Sequence, residues 1–339
     1  MISKTLLFLS LLCFSLSIVA QTDSDSKLAQ YYYENGEFDK ALTYYEKIYD
    51  NNQSKLIFNR YVDCLLQTKD LKKAEKTIKK QISLNQKDLS LQLQLASFYE
   101  LNDEASKSKK VFNEVIDQAT KNPTSVTEVF RIFLKENKTD LAKDILVKAS
   151  KLMPGYPFQL LYAELYGALG DNKKLIESYL DLLDKYPEYQ EAVQLSLSAR
   201  FDFAENASDL AMVKGAFLEK IQKPNSNLVF NEMLIWLFLQ SKNFSAAFIQ
   251  VVALDKQVQS MGGRVLDLGK TCVENESFEV ARKCFQYVIN LGIESPYYYE
   301  AESALLNTRY IELTQYRVYS NEELETTLKE YKTVIDRVA

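Results

Sequence analysis

Histidine, the side chain that most often carries proton-transfer chemistry, is absent from this 339-residue chain, and cysteine occurs only four times. Without imidazole there is no Ser-His-Asp or Cys-His relay, no histidine metal ligand and no histidine pH switch. Carboxylate, lysine, tyrosine, serine and cysteine chemistry are what is left. Cys13 falls in an apolar N-terminal stretch, and Cys64, Cys272 and Cys284 follow at irregular spacing with no CxxC pair. An odd, irregular set is not a disulfide framework. Cys272 and Cys284 do fall on facing helices of one expected hairpin. With Phe278 placed opposite Cys272, Cys284 lies six residues further on, roughly 9 Å along a helix axis, whereas bridged Cα atoms lie within about 7 Å. All three are therefore expected as buried apolar side chains. The Gly262-Gly263 pair is not followed by a phosphate-loop pattern, and no HExxH occurs. Glu322 and Glu323 sit at a helix start, where the helix dipole accounts for them. The residues thus predict a non-enzyme with no catalytic, cofactor or metal site.

Charge narrows the partner class. The formal net charge is −5, and removing a leader whose one charge is Lys4 makes it more negative. A phosphate-backbone binder needs the opposite sign, so nucleic acid is not an expected partner. Lys72, Lys73, Lys76, Lys79 and Lys80 cluster, but their spacing follows the solvated face of a helix.

The elements that would position any site are marked by a small residue followed four places later by a bulky one. The pattern occurs at Ala41/Tyr45, Ala74/Ile78, Ser108/Phe112, Ala142/Leu146, Leu175/Tyr179 (with leucine in the small place), Ala247/Val251 and Ala281/Phe285, with steps of 33, 34, 34, 33, 72 and 34 residues. A period in that range means stacked helical hairpins. The first hairpin shows why. Helix A carries Leu28, Ala29, Tyr32 and Tyr33 and stops at Asn35-Gly36; helix B opens at Glu37-Phe38-Asp39 and carries Ala41, Leu42, Tyr45 and Ile48 on one face. Ala41 lets two helices approach, and the bulky neighbours fill the space between hairpins.

This spacing resembles the tetratricopeptide repeat. The run from Asn35 to Tyr45 matches the family's loop and second helix. The small eighth position falls on Ala29, Ala96, Ala163 and Gly269, the bulky eleventh on Tyr32, Leu65, Tyr99, Phe133, Tyr166 and Phe238, and the terminal proline on Pro154 and Pro187. The resemblance implies an all-α, right-handed α-solenoid of about eight to nine hairpins, with repeats at 22–55, 55–88, 89–122, 123–155, 156–189, 190–227, 228–261 and 262–295. Val62, Phe130 and Ile235 replace the small eighth residue, which implies wider local helix spacing. Residues 190–227 have lost the anchors and form a degenerate repeat. Residues 296–339 form a longer terminal hairpin whose second helix carries Leu324, Leu328, Tyr331 and Ile335. That hairpin is a cap, a docking surface or a continuation of the array.

Residues 1–20 read as a secretory signal peptide. Lys4 supplies the positive region, Leu6 to Val19 the apolar core, and Ile18-Val19-Ala20 a cleavage site before Gln21. The nearly uncharged stretch from Thr5 to Ala20 has 16 residues, short of the ~20 needed to span a bilayer. A periplasmic or otherwise exported chain is expected, without an integral membrane span after cleavage.

The family binds extended peptides or partner proteins along the concave face of its A helices, at positions 5, 9 and 12 of each repeat. Carried over onto this sequence, those positions give Tyr33, Asn59, Asp63, Ser97, Arg131, Glu164, Glu232, Trp236 and Lys270. Ser26 and Gln30 stand where the family's carboxylate clamp begins, so that clamp is absent. Trp236 is a ligand anchor if exposed and a core residue if the frame slips by one. The expectation is a non-catalytic protein- or peptide-binding scaffold of the bacterial cell envelope, within an assembly or secretion complex; the alternative is a glycan- or peptidoglycan-binding module.

Overall fold

A computed structural model describes residues 24–316 and 320–338, and the leader read over residues 1–20 lies outside the described residues. Among the described residues there are eighteen helices and no strand, and no helix is long and apolar enough to cross a membrane. The chain divides between Pro154 and Gly155 into two compact units.

The first unit is four hairpins: α1 (24–34) with α2 (Phe38–Asn51), α3 (Lys55–Gln67) with α4 (Leu71–Leu84), α5 (Leu89–Leu101) with α6 (Ala105–Ala119), and α7 (Pro123–Lys135) with α8 (Thr139–Leu152). Helix starts are chemically marked. The side chains of Asp70, Asp88 and Asn122 accept amides of the first turn, and Pro123 takes the first helical position of α7. The core fills from the predicted anchors: Ala41, Ala74, Ile78, Ala142 and Leu146 are fully buried, as are Phe58, Phe130 and Phe133 between them. One polar link runs through this core, where the Tyr49 hydroxyl meets Gln81 Oε1 at 2.9 Å.

The second unit holds α9 (Gln159–Ala168) with α10 (Asn172–Lys185), α11 (Gln190–Arg200), α12 (Ala207–Ile221), α13 (Val229–Gln240) with α14 (Phe244–Val258), α15 (Gly263–Glu274) with α16 (Phe278–Asn290), and α17 (Tyr298–Ile311) with α18 (Asn321–Val338). Ser320 and Glu323 close a reciprocal capping box at the head of α18: the Ser320 amide donates to Glu323 Oε2 at 2.9 Å, and the Glu323 amide to Ser320 Oγ at 3.2 Å.

One turn recurs in seven hairpins. The carbonyls of Tyr32, Leu65, Tyr99, Phe133, Tyr166, Phe238 and Cys272 each accept the amide five residues on, at 2.8–2.9 Å. The residue before that amide is left-handed every time: Gly36, Lys69, Asp103, Asn137, Gly170, Lys242 and Glu276 have φ between 53 and 74°. This is a helix C-cap in which the chain reverses and satisfies the last carbonyls of helix A. Glycine takes it without strain at 36 and 170, Asp103 and Asn137 are of the types that tolerate it, and Lys69, Lys242 and Glu276 adopt it against their Cβ sterics.

The degenerate repeat lacks this turn. α11 ends at Phe201 in extended backbone, and Phe201 and Phe203 bury in the connection with Asp202 capping the amides of Ala204 and Glu205. α12 packs on α10 and α13, and α11 packs on α13 and the Pro187–Tyr189 turn. Arg200 ties α11 to α10 by gripping Asn172 Oδ1 at 2.9 and 2.7 Å.

Cys64, Cys272 and Cys284 are free and fully buried, as expected of apolar side chains. The close approach in the α15–α16 hairpin is Gly269 against Phe285, where a Cβ on Gly269 would lie 2.4 Å from the ring. Cys272 and Cys284 lie in the same buried core as this approach.

Candidate functional site

The helices that open each hairpin carry the candidate residues beside their buried stripe. In the first unit, Tyr33 at the end of α1 is half-buried, edge-on to Phe38 and Tyr45 at 5.6 and 6.1 Å. Its hydroxyl donates to Asp63 Oδ2 on α3, which together with burial holds the phenol above its usual range. The Arg60 guanidinium covers the same ring at 4.0 Å. Tyr33 and Asp63 are therefore brought together across one repeat step. Asn59 stands exposed beside Arg60, Arg131 is exposed on α7, and Ser97 is half-buried with its Oγ lacking a hydrogen-bond partner.

In the second unit, Glu232 on α13 pairs with Arg264 on α15 at 2.7 Å, and Lys270 on α15 pairs with Glu300 on α17 at 2.7 Å. Glu300 raises the Lys270 ammonium above its ordinary pKa, by their hydrogen bond first. Glu164 is exposed on α9. Trp236 is half-buried and meets Phe203 edge-on at 5.6 Å, so it is neither a core residue nor a bare indole. Helix α13 has turned about its axis. Its loop frame is that of the other hairpins, yet Phe230 and Met233 are buried while Ile235, at the eighth position, is only half-buried. Val62 and Phe130, by contrast, fill that position in the core.

The sequence pointed to both members of the Tyr33–Asp63 pair but to one member each of Glu232–Arg264 and Lys270–Glu300, and not to Arg60, Arg264 or Glu300. The signal was available: Tyr33 to Asp63, Glu232 to Arg264 and Lys270 to Glu300 are complementary groups 30, 32 and 30 residues apart. That is about one repeat. The unpaired geometry of α11 and α12 adds a feature the sequence did not point to. Between α10 and α12 lies a cavity of about 470 Å³ lined by Ile176, Leu180, Met212 and Ala216 together with Lys173 and Lys220. Lys220 reaches Asp181 and Asp184 at 3.2 and 3.3 Å.

Chemically, the A-helix faces offer hydrogen bonds, both signs of charge and two aromatic edges. Among the described residues no cluster of three Cys, Asp or Glu side chains is placed to hold a metal ion.

The tetratricopeptide repeat family model matches residues 26–55 and 57–88, which are the first two hairpins, α1–α2 and α3–α4. No curated protein matches the chain. Among solved structures the chain is similar to Naa15/Naa10 bound to HypK-THB, at 13% identity and a TM-score of 0.28, covering 90% of this chain and 59% of that one. It is also similar to a tetratricopeptide repeat protein from Parabacteroides merdae, at 11% identity and a TM-score of 0.29, covering 85% and 98%. A third is the APC/C hetero-tetramer Cut9-Hcn1, at 12% identity and a TM-score of 0.27, covering 94% and 67%.

Proposed function

We propose that this chain, which is a tetratricopeptide repeat protein, is a non-catalytic scaffold of the cell envelope of a Gram-negative-type bacterium. It binds a protein or peptide partner along the faces of its A helices, within an assembly or secretion complex. The observation that carries the binding reading is the set of exposed ion pairs from one A helix to the next, Glu232–Arg264 and Lys270–Glu300. Exposed pairs of this kind contribute about 0–1 kcal/mol to the fold, so they are cheap to open. A partner that supplies its own carboxylate or ammonium exchanges one ion pair for another at little cost. The core residues beneath hold the exchanged groups at fixed intervals, so many weak contacts are made in register. The envelope location rests on the leader read over residues 1–20.

The test is affinity capture from an envelope extract, with chain beginning at Gln21 as bait. The Arg131→Ala/Trp236→Ala and Arg264→Ala/Glu300→Ala variants are run beside it. Partner recovery is expected to fall in both variants; equal recovery by all three baits removes the A-helix faces from consideration. Fractionation followed by N-terminal sequencing checks location, with Gln21 expected as the first residue.

A second reading, glycan or peptidoglycan binding, is favoured by one observation: Tyr31 is 58% exposed beside a stacked Tyr32–Tyr44 pair. Lys40 and Lys47 lie over the faces of Tyr32 and Tyr44, which leaves Tyr31 as the sugar-stacking ring. Co-sedimentation with purified cell wall that survives high salt and is lost in Tyr31→Ala supports this reading, and salt-sensitive binding rejects it.

A further inference from the structure

We propose that Cys272 and Cys284 are a cross-linking site: when the chain folds in the presence of a disulfide-bearing oxidant, their two thiols become one disulfide joining α15 to α16. The inference stands apart from the binding function. Both side chains are fully buried in the same core of the second unit. Gly269 sits against the Phe285 ring so closely that no side chain fits between. Cys272 follows Gly269 by one turn on the same stripe, and Cys284 precedes Phe285 directly, so both residues flank the closest approach of the two helices. Each thiol also shifts the other's pKa, Cys272 downward and Cys284 upward, as neighbouring groups do.

The backbone on the Cys272 side is already held. Its carbonyl accepts the Ser277 amide at 2.8 Å, and Glu276 is locked left-handed. The two cysteines therefore enclose a short segment whose reversal is complete without the bridge. Cys64 provides the contrast within the same chain. It is equally buried, but its thiol is pushed up to about 12 by burial with Asp63 and Arg60 as its charged neighbours. Cys272 instead has its pKa lowered by its neighbour Cys284.

The thiolate of one cysteine attacks one sulfur of the oxidant, a small-molecule disulfide or a disulfide-bearing oxidoreductase, and expels a thiolate. The other cysteine loses its proton and attacks the protein sulfur of the mixed disulfide, expelling the oxidant's second thiolate. Two protons and two electrons leave the pair, and the oxidant's disulfide is reduced to two thiols. Since neither cysteine is exposed in the folded chain, the bridge is installed as the hairpin closes and is shielded afterwards.

The experiment uses the full chain, reduced and unfolded in urea, then refolded across a series of oxidised-to-reduced glutathione ratios. Free thiols are alkylated and the peptides mapped, and a second series is held in urea throughout. The bridged Cys272–Cys284 peptide is expected to form in the refolding series at glutathione ratios about a hundredfold more reducing than in the urea series, the factor for a native fold closing a loop of this length. Cys64 stays alkylatable in both. If folding brings no such advantage, or if either cysteine ends as a glutathione mixed disulfide without bridging, the proposal fails. Urea unfolding of the bridged chain is the second measurement. A midpoint above that of the reduced chain supports a bridge that the fold accepts, and one at or below it overturns the proposal.

Discussion

The α15–α16 and α11–α12 segments lie in the same unit and are built from helices of similar length, yet only one of them is a hairpin in the packing sense. α15 and α16 face each other along Gly269, Cys272, Cys284 and Phe285, and their reversal is closed by the Cys272 carbonyl and the left-handed Glu276. α11 ends in extended backbone at Phe201, and α12 turns away to pack on α10 and α13. α11 buries only Val193 and Leu197, whereas α16 buries Phe278, Val280, Ala281, Cys284, Phe285 and Val288. Two helices in succession do not make a repeat. The left-handed turn and the small residue opposite a large ring do.

The largest expected effect sharpens this contrast. Phe285→Ala empties the ring that Gly269 was cut to receive, and should cost about 3–5 kcal/mol of unfolding free energy in urea titration. Gly269→Ala should cost about 1–3 kcal/mol, because its Cβ would meet Phe285 at 2.4 Å and force the helices apart. A cost below 0.5 kcal/mol there would mean that the close approach does not hold the hairpin.

Next in size is Asp255, a carboxylate only 3% exposed at the end of α14. It accepts the Gly262 amide at 2.9 Å, the Tyr287 hydroxyl at 3.0 Å and the Ser260 hydroxyl. Asp255→Ala leaves these donors unmatched and should cost about 1–3 kcal/mol. The same cluster gives a pH signature. Burial first, and then the bond to Asp255, push the Tyr287 hydroxyl up to about 12. The fold favours the neutral phenol, so this contribution is complete below the unfolded pKa of about 10 and lost as pH rises through the folded one. Between pH 10 and 12 the urea midpoint should fall more steeply in the wild type than in Tyr287→Phe; parallel profiles would remove Tyr287 from the account.

Relief of turn strain is smaller and opposite in sign. Lys242→Gly and Glu276→Gly should each stabilise by about 0.5–1 kcal/mol, the left-handed penalty less the added freedom of glycine in the unfolded chain. Asn137→Gly should gain less, since asparagine tolerates this conformation. At the bottom of the scale, Leu195→Ala on α11, where the side chain is 74% exposed, should change stability by no more than about 0.5 kcal/mol. A cost near that of Phe285→Ala would erase the distinction between the two segments.

What was legible followed from burial. The 33- and 34-residue steps reappear as the spacing of the seven left-handed turns, because the anchors and the turns are set by the same helix lengths. The left-handed residues themselves were visible only at Gly36 and Gly170. Lys69, Lys242 and Glu276 carry no side-chain sign of their backbone. The burial of the cysteines was legible from their apolar stripes, whereas the close approach of Gly269 to Phe285 was not, because Phe278 was set opposite Cys272 from the loop alone. The polar partners Arg60, Arg264 and Glu300 were missed because positions were chosen within a repeat while the bonds run between repeats. Trp236 could not be read either way, since the ring that half-covers it, Phe203, belongs to the stretch where the pattern lapses.

The seven turns are closed by main-chain atoms, a carbonyl and the amide five residues on. Their side chains can therefore be exchanged widely, but their length cannot. One residue inserted at Lys69 or Glu276 would rotate the following helix by about 100° and swing its buried stripe toward solvent. The connection at 201–206, which no such bond closes, can absorb a change in length. This chain is forgiving of spelling at its corners and strict about counting, and the place where it has stopped counting is the place where a new loop can be grafted.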